Sequence, residues 1–268
     1  SEYILYYKDP NLGITQDTTY INFYSLHLKA GSDPSDANKR TAEAEVLKTY
    51  LVNSGKNTRL FVGGDFNFYY NTDLACQEIL NGQGVNLYDP INRMGGWHNN
   101  AGYKKYHTQS TRQSTGGYAG GSYGGMDDRF DFIFVSNDVL YGSEGIQYIE
   151  DSYEAVGQDG LRFNEDIHIP ANTAVSQDLA NSLFYMSDHL PVSLKFAVGG
   201  TINVAENNSN FNLFYKSNSK QLSIVSDHEI NNLNLIISDI NGKIIKSIDQ
   251  RNIRESNWSL IGLPKGFY

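Results

Sequence analysis

The sequence predicts a mixed α/β sheet with crossover helices, followed by a smaller all-β module. Two observations carry this. Apolar, β-favouring runs alternate with helical patterns through the first half of the chain, the order of a sheet crossed by helices. After a polar stretch from Gly199 to Asn210, which reads as a linker, only short β segments follow.

Glu2 to Lys8 reads as a first strand, Asp9 to Gly13 as a turn, and Tyr20 to Leu28 as a second strand with His27 near its carboxyl end. Ser35 or Asp36 is a suitable cap for a helix running to about Val52. Val46, Leu47, Tyr50 and Leu51 share one face of that helix. Arg59 to Val62 is a short buried strand, after which Gly63 and Gly64 let the backbone turn sharply. Asp65 and Asn67 follow. In extended geometry these two project the same way, so a carboxylate and a carboxamide leave the strand end side by side. Sheets of this class tend to hold ligand and catalytic groups at the carboxyl ends of strands. A short helix from about Asp73 to Leu80 comes next and carries Cys76. As the single cysteine, Cys76 excludes an internal disulfide and reads as a small buried hydrophobe.

From Ile91 to Met126 there is no acidic residue, although the chain as a whole has 30. Arg93, Lys104, Lys105 and Arg112 lie in this stretch with His98 and His107, interleaved with Trp97 and several tyrosines. The formal charge of -9 argues against a general nucleic-acid coat protein but leaves room for a local cationic region. Arg93, His107 and Arg112 are therefore the expected contacts to a phosphate-bearing substrate, the bland alternative being a solvated loop. Gly116 to Gly125 is glycine-rich and resembles a flap, without a P-loop pattern.

Arg129 to Ser136 is a strong strand in which Asp131 interrupts an apolar run. A half-buried carboxylate there needs a partner. Asp188-His189 precedes a strand from Val192 to Ala197, and pairing of His189 with Asp131 would create an acid–base constellation. Asp151 to Leu183 reads as irregular. In the tail, Leu213–Tyr215, Gln221–Val225, Leu233–Ser238, Ile244–Ile248 and Trp258–Leu260 are short strands, with Asn241-Gly242 as a hairpin turn. They suggest a small sandwich-like module without catalytic residues. No run is long and apolar enough for a membrane span.

Ser25-Leu26-His27-Leu28, Gly64-Asp65-Phe66-Asn67, Arg129-Phe130-Asp131-Phe132-Ile133 and Ser187-Asp188-His189-Leu190-Pro191-Val192 together resemble the endonuclease/exonuclease/phosphatase superfamily, the deoxyribonuclease-I-like fold. The resemblance covers about residues 1–198. It implies a four-layer α/β sandwich and phosphoester hydrolysis dependent on magnesium or manganese, with calcium as a further candidate. It also implies residue roles. His189 would be the principal general acid or base, oriented by Asp131. Asp65 would position or deprotonate the attacking water, and Asn67 would hold that water or a phosphate oxygen. Asp188, with Asp65, would bind the metal. His27 would contact the scissile phosphate or protonate the leaving oxygen. The family's early Asn and metal-binding Glu have no matching motif, so the chain is expected to be cut ahead of Ser1 and, as given, to lack its chief metal ligand.

From about Phe211, the stretch Asn234 to Ile245 and the segment Leu263 to Tyr268 resemble the C-terminal sorting domain of type IX secretion substrates of Bacteroidetes, cut before its last strand. That implies export across the outer membrane and engagement of the secretion machinery. The resulting expectation is a secreted, metal-dependent phosphodiesterase, foremost an endonuclease acting on nucleic acid. The rivals are a phosphatase or sphingomyelinase of the same fold and a non-catalytic surface-binding protein.

Overall fold

The structure is a computed structural model that describes residues 1–8, 18–115, 121–198, 211–216, 221–238 and 243–262. The expected turn at 9–13, the linker from Gly199 to Asn210, the Asn241-Gly242 turn, the segment 263–268 and the first half of the glycine-rich flap lie outside the described residues. The chain divides into two compact units, Ser1–Ile202 and Asn203–Tyr268.

The first unit is built on a five-stranded mixed sheet. Its strands are β1 (Glu2–Tyr6), β2 (Tyr20–His27), β3 (Leu60–Asp65), β4 (Leu87–Tyr88) and β5 (Asp131–Ser136), in the spatial order β1-β2-β3-β5-β4. β2 and β3 run parallel, joined through the long helix α1 (Pro34–Ser54), and the other pairs are antiparallel. A parallel pair requires a crossover of this kind. A second helix, α2 (Leu74–Asn81), starts where the side chain of Asp73 accepts from Ala75 N–H.

Period-two alternation sorts the strand residues between two cores. Tyr24, Leu28, Leu60, Val62, Phe132 and Phe134 pack on one side with Ala44, Leu47 and Leu51 of α1 and Ala75, Cys76 and Ile79 of α2. Ile21, Phe61 and Val135 face the other side. There they meet Val139 of the short helix α3 (Asn137–Tyr141), and Ile146 and Tyr148 of β6 (Ile146–Tyr148). Two small strand pairs complete this side: β7 (Glu154–Ala155) with β8 (Val192–Ser193), and β6 with β9 (Phe196–Val198). Helix α4 (Gln177–Met186) contributes Leu183 and Phe184 to a third cluster with Met126, Ile167 and Leu190. The architecture is thus mixed α/β, with α1 and α2 on one face of the main sheet and α3 and the short strands on the other.

Several boundaries differ from expectation. α1 begins at Pro34 after Asp33, and its buried stripe is Arg40, Ala44, Leu47, Lys48 and Leu51, while Val46 and Tyr50 are exposed. Two of the stripe positions are cations whose terminal nitrogens reach oxygens inside the fold, while Arg40 Nε is buried without a hydrogen-bond partner among the described residues. Arg40 donates to Lys29 O, Gly31 O and Asp73, and Lys48 to Ile79 O and Val85 O. Burial lowers the Lys48 pKa. Gly63 and Gly64 belong to β3 rather than to a turn. Gly64 has φ +138°, and a Cβ there would stand 2.0 Å from Leu26 O on β2. The glycine is needed for the close approach of the two parallel strands. The strand expected at Val192–Ala197 is split into β8 and β9, and the supposedly irregular 151–183 contains β7 and most of α4.

The second unit is a three-stranded antiparallel sheet of β10 (Phe211–Lys216), β11 (Gln221–Ser238) and β12 (Ile244–Ser259). The last four of the five expected segments merge into two long strands, whose pairing carries irregular register where polar residues interrupt the alternation, as at Val225/Ile230. Ile224 and Trp258 are buried. Among the described residues no helix is long and apolar enough to cross a membrane.

Candidate active site

Strand register alone brings three of the expected residues into one row. His27 of β2 pairs with Asp65 of β3, and Asp65 pairs with Asp131 of β5. All three share the parity of Ile21, Phe61 and Val135, so they emerge on the sheet face away from α1 and α2. β2 and β3 end here together. β5 begins here, its first amide and that of Phe130 donating to Thr108 Oγ1.

The fourth side chain comes from the loop between α4 and β8. Leu190 N–H donates to Thr108 O, Thr111 N–H donates to Asp188 O, and Gln109 forms an isolated bridge with His189. The extended segment 108–111 therefore holds Asp188-His189 against the row. His189 Nδ1 lies 2.7 Å from Asp131 Oδ2, while its Nε2 is 3.8 Å from Asp65 Oδ2 and 4.0 Å from Asp188 Oδ2. His27 Nε2 is 3.4 Å from the same Asp65 oxygen. Gln109 Nε2 lies 2.5 Å from His189 Nε2. A neutral ring accepts from that amide; a protonated ring faces the amide oxygen after a flip.

These groups line a cleft of about 550 Å³ with Asn67, Tyr69 and Phe130. Asn67 does not continue the strand: its φ is +53°, its amide N–H donates to Asp65 Oδ1 and its Nδ2 donates to Leu28 O. The parallel projection expected of Asp65 and Asn67 is replaced by a turn in which Asn67 fixes the Asp65 carboxylate. Asp188 accepts from Ser122 N–H at 2.5 Å.

Electrostatics separates the two principal groups. Burial raises the Asp65 pKa, helped by the charge of Asp131 and opposed by His189 and His27. Burial also works against the charged form of His189, but its hydrogen bond to Asp131 and the charges of Asp131, Asp65 and Asp188 prevail and raise its pKa to about 8. His189 is thus a proton donor at neutral pH, beside a carboxylate made more basic than usual. Because the folded value exceeds the ordinary one of about 6.5, the charged ring stabilises the fold fully below about pH 6.5 and ceases to as pH rises through about 8. An NMR titration of the His189 ring in EDTA is expected to give a midpoint near 8. Asp131→Asn should bring it to 6.5 or below; a native midpoint already there would contradict the clamp.

Among the described residues, Asp65, Asp131 and His189 offer atoms within 4.8 Å of one another. Both nitrogens of His189 are, however, engaged by Asp131 and Gln109. Asp65 and Asp188 are the carboxylates left to face the cleft, and hard oxygen donors of this type fit magnesium, manganese or calcium.

Three expected substrate contacts are not in the cleft. His107 is fully buried, with its ring nitrogens on Met126 O and Trp97 O, and burial lowers its pKa. Arg112 is buried and donates to Phe184 O and Tyr185 O. These two correct the sequence reading: buried in the loop region, their polar atoms satisfy backbone carbonyls. Arg93 is exposed, its guanidinium 5.7 Å from the centre of the Tyr106 ring, and it does not line the cleft. Conversely, Gln109 and Tyr69 do line it, and nothing in their local sequence marks them out.

No protein-family model matches the chain, and no curated protein matches it. Among solved structures, it is similar to a conserved protein of unknown function from Enterococcus faecalis V583, at 17% identity over 69% of this chain and 52% of that one, with a TM-score of 0.36. It is similar to an endonuclease/exonuclease/phosphatase family protein from Bacteroides thetaiotaomicron at 19% identity, over 68% and 50% of the two chains, with a TM-score of 0.33. It is also similar to truncated TDP2 from Caenorhabditis elegans at 15% identity, over 67% and 55%, with a TM-score of 0.37. The chain spans about half the length of each of these structures.

Proposed function

We propose that the first unit is the catalytic part of a divalent-metal-dependent phosphoester hydrolase of the endonuclease/exonuclease/phosphatase type, acting on nucleic-acid phosphodiester bonds. The observation that carries this is the Asp131–His189 pair set beside Asp65 and His27 in one cleft. A raised-pKa carboxylate next to a protonated imidazole is an acid–base division of labour.

Hydrolysis needs a proton removed from water, a charged phosphorane stabilised and a leaving oxygen protonated. Asp65 takes the proton as the water oxygen bonds to phosphorus. Asn67 holds Asp65 in place through its backbone amide. His189, clamped by Asp131, donates Nε2–H to a non-bridging oxygen at the position where Gln109 now meets it. His27, at the open side of the row, gives its proton to the leaving oxygen as the P–O bond breaks. Asp65 and Asp188 would hold the metal, which when bound offsets phosphate charge and polarises water.

The three-stranded second unit is read as the secretion sorting module, giving a secreted or cell-surface enzyme whose tail engages the export machinery. Incubation of the native, full-length protein with plasmid DNA, RNA and phospholipid vesicles in magnesium tests the substrate. Cleavage of nucleic acid is expected, and turnover of lipid alone would overturn the nuclease reading.

A further inference from the structure

A second Asp–His pair flanks the cleft. His98 Nδ1 lies 2.8 Å from Asp128 Oδ1, and the carboxylate is more buried than that of Asp131. Burial raises the Asp128 pKa to about 6, against the pull of His98. The two pairs share a support. Gln109, whose side chain meets His189, exchanges backbone hydrogen bonds with Asp128 in an antiparallel bridge. Tyr69 connects them on the other side: it lines the cleft and its ring stands edge-on to His98 at 5.2 Å. Tyr70 also meets His98 edge-on, at 5.9 Å, and is itself about half exposed. With Nδ1 committed to Asp128 and the side chain 35% exposed, His98 Nε2 has no hydrogen-bond partner among the described residues.

We infer that His98, oriented by Asp128 and flanked by Tyr69 and Tyr70, is a subsite for the nucleotide next to the scissile phosphate. His98 contacts its phosphate and a tyrosine ring carries its base. The inference rests on the hydrolase reading for the identity of the polymer, but the site is separate from the reacting groups. It also gives the acid-free stretch a recognition residue in place of His107 and Arg112. Base stacking on an aromatic ring and a charge-assisted donor to phosphate are together how single-stranded nucleic acid is gripped without sequence preference. A substrate with one isolated phosphoester would not use this subsite.

The test combines turnover and binding in the full chain. In magnesium, kcat/KM is measured for bis(p-nitrophenyl) phosphate, which has no neighbouring phosphate, and for a single-stranded oligonucleotide. In EDTA, binding of a fluorescein-labelled oligonucleotide is followed by anisotropy. His98→Ala is expected to weaken oligonucleotide binding and to lower the oligonucleotide-to-small-substrate preference by about tenfold, the size of one lost charge-assisted hydrogen bond. Tyr70→Ala, at an exposed position, should act in the same direction. Equal losses on both substrates, or unchanged oligonucleotide binding in both variants, would overturn the subsite. A wild type that binds through His98 yet turns over neither substrate would uphold the subsite and sink the hydrolase reading. A wild type that hydrolyses bis(p-nitrophenyl) phosphate but binds no oligonucleotide would do the reverse.

Discussion

Alanine at Asp65 or at His189 is expected to lower phosphodiester turnover by about 10²–10⁴-fold. Asp65 is the carboxylate on which the site converges: two imidazoles face one oxygen and the Asn67 amide holds the other. His189 is the imidazole whose ring is fixed at both nitrogens. Removing either eliminates a proton-transfer group while leaving the strand register intact. Because the groups act as a unit, the double variant should lose little more than the worse single one. Asp131→Asn should cost less at low pH and more as pH rises, since the ring then deprotonates earlier. A loss below about threefold in either alanine variant would remove these residues from the chemistry.

The second large effect is on stability. Asp89→Ala should destabilise the first unit by about 3–5 kcal/mol, because it leaves the Arg129 guanidinium buried without its counter-charge. The pair is bidentate, with Nη1 and Nη2 of Arg129 at 2.9 and 2.8 Å from the two Asp89 oxygens, and both side chains are almost fully buried. Arg129 also lies 4.3 Å from the centre of the Phe132 ring and donates to Arg93 O. The pair therefore anchors the chain two residues ahead of Asp131. Replacing both partners by apolar residues should recover much of the loss. Urea denaturation followed by aromatic fluorescence gives the number. A cost under about 1 kcal/mol for Asp89→Ala would mean that Arg129 finds water or another partner when the site is emptied.

Much of this site could be read in the sequence because its residues sit at strand ends. An apolar run interrupted by Asp131, and an Asp-His dipeptide ahead of a strand, are local signals, and their pairing follows once the strands are placed. The sheet was legible for the same reason, since Leu60 to Val62 and Phe132 to Val135 are recognisable in isolation. The direction of a side chain in a loop is not local. Arg112 and His107 lie in the same acid-free stretch as His98, yet two turn inward to satisfy carbonyls and one stays at the surface. Periodicity failed on α1 for a related reason: Arg40 and Lys48 bury their stems while their polar ends reach backbone oxygens across the core. A hydrophobic pattern counts such residues as exposed. Gln109 is brought to His189 by a bridge between segments about 80 residues apart, and no spacing in the chain announces it.

The most direct measurement is the rate of phosphodiester hydrolysis by the native, full-length protein in magnesium, in EDTA, and in magnesium with Asp65→Asn. Turnover in magnesium alone, abolished by chelation and by the single substitution, is the predicted result. Turnover that survives both EDTA and Asp65→Asn, or none in any metal while the fold stays intact, would contradict a metal-dependent hydrolase centred on this cleft.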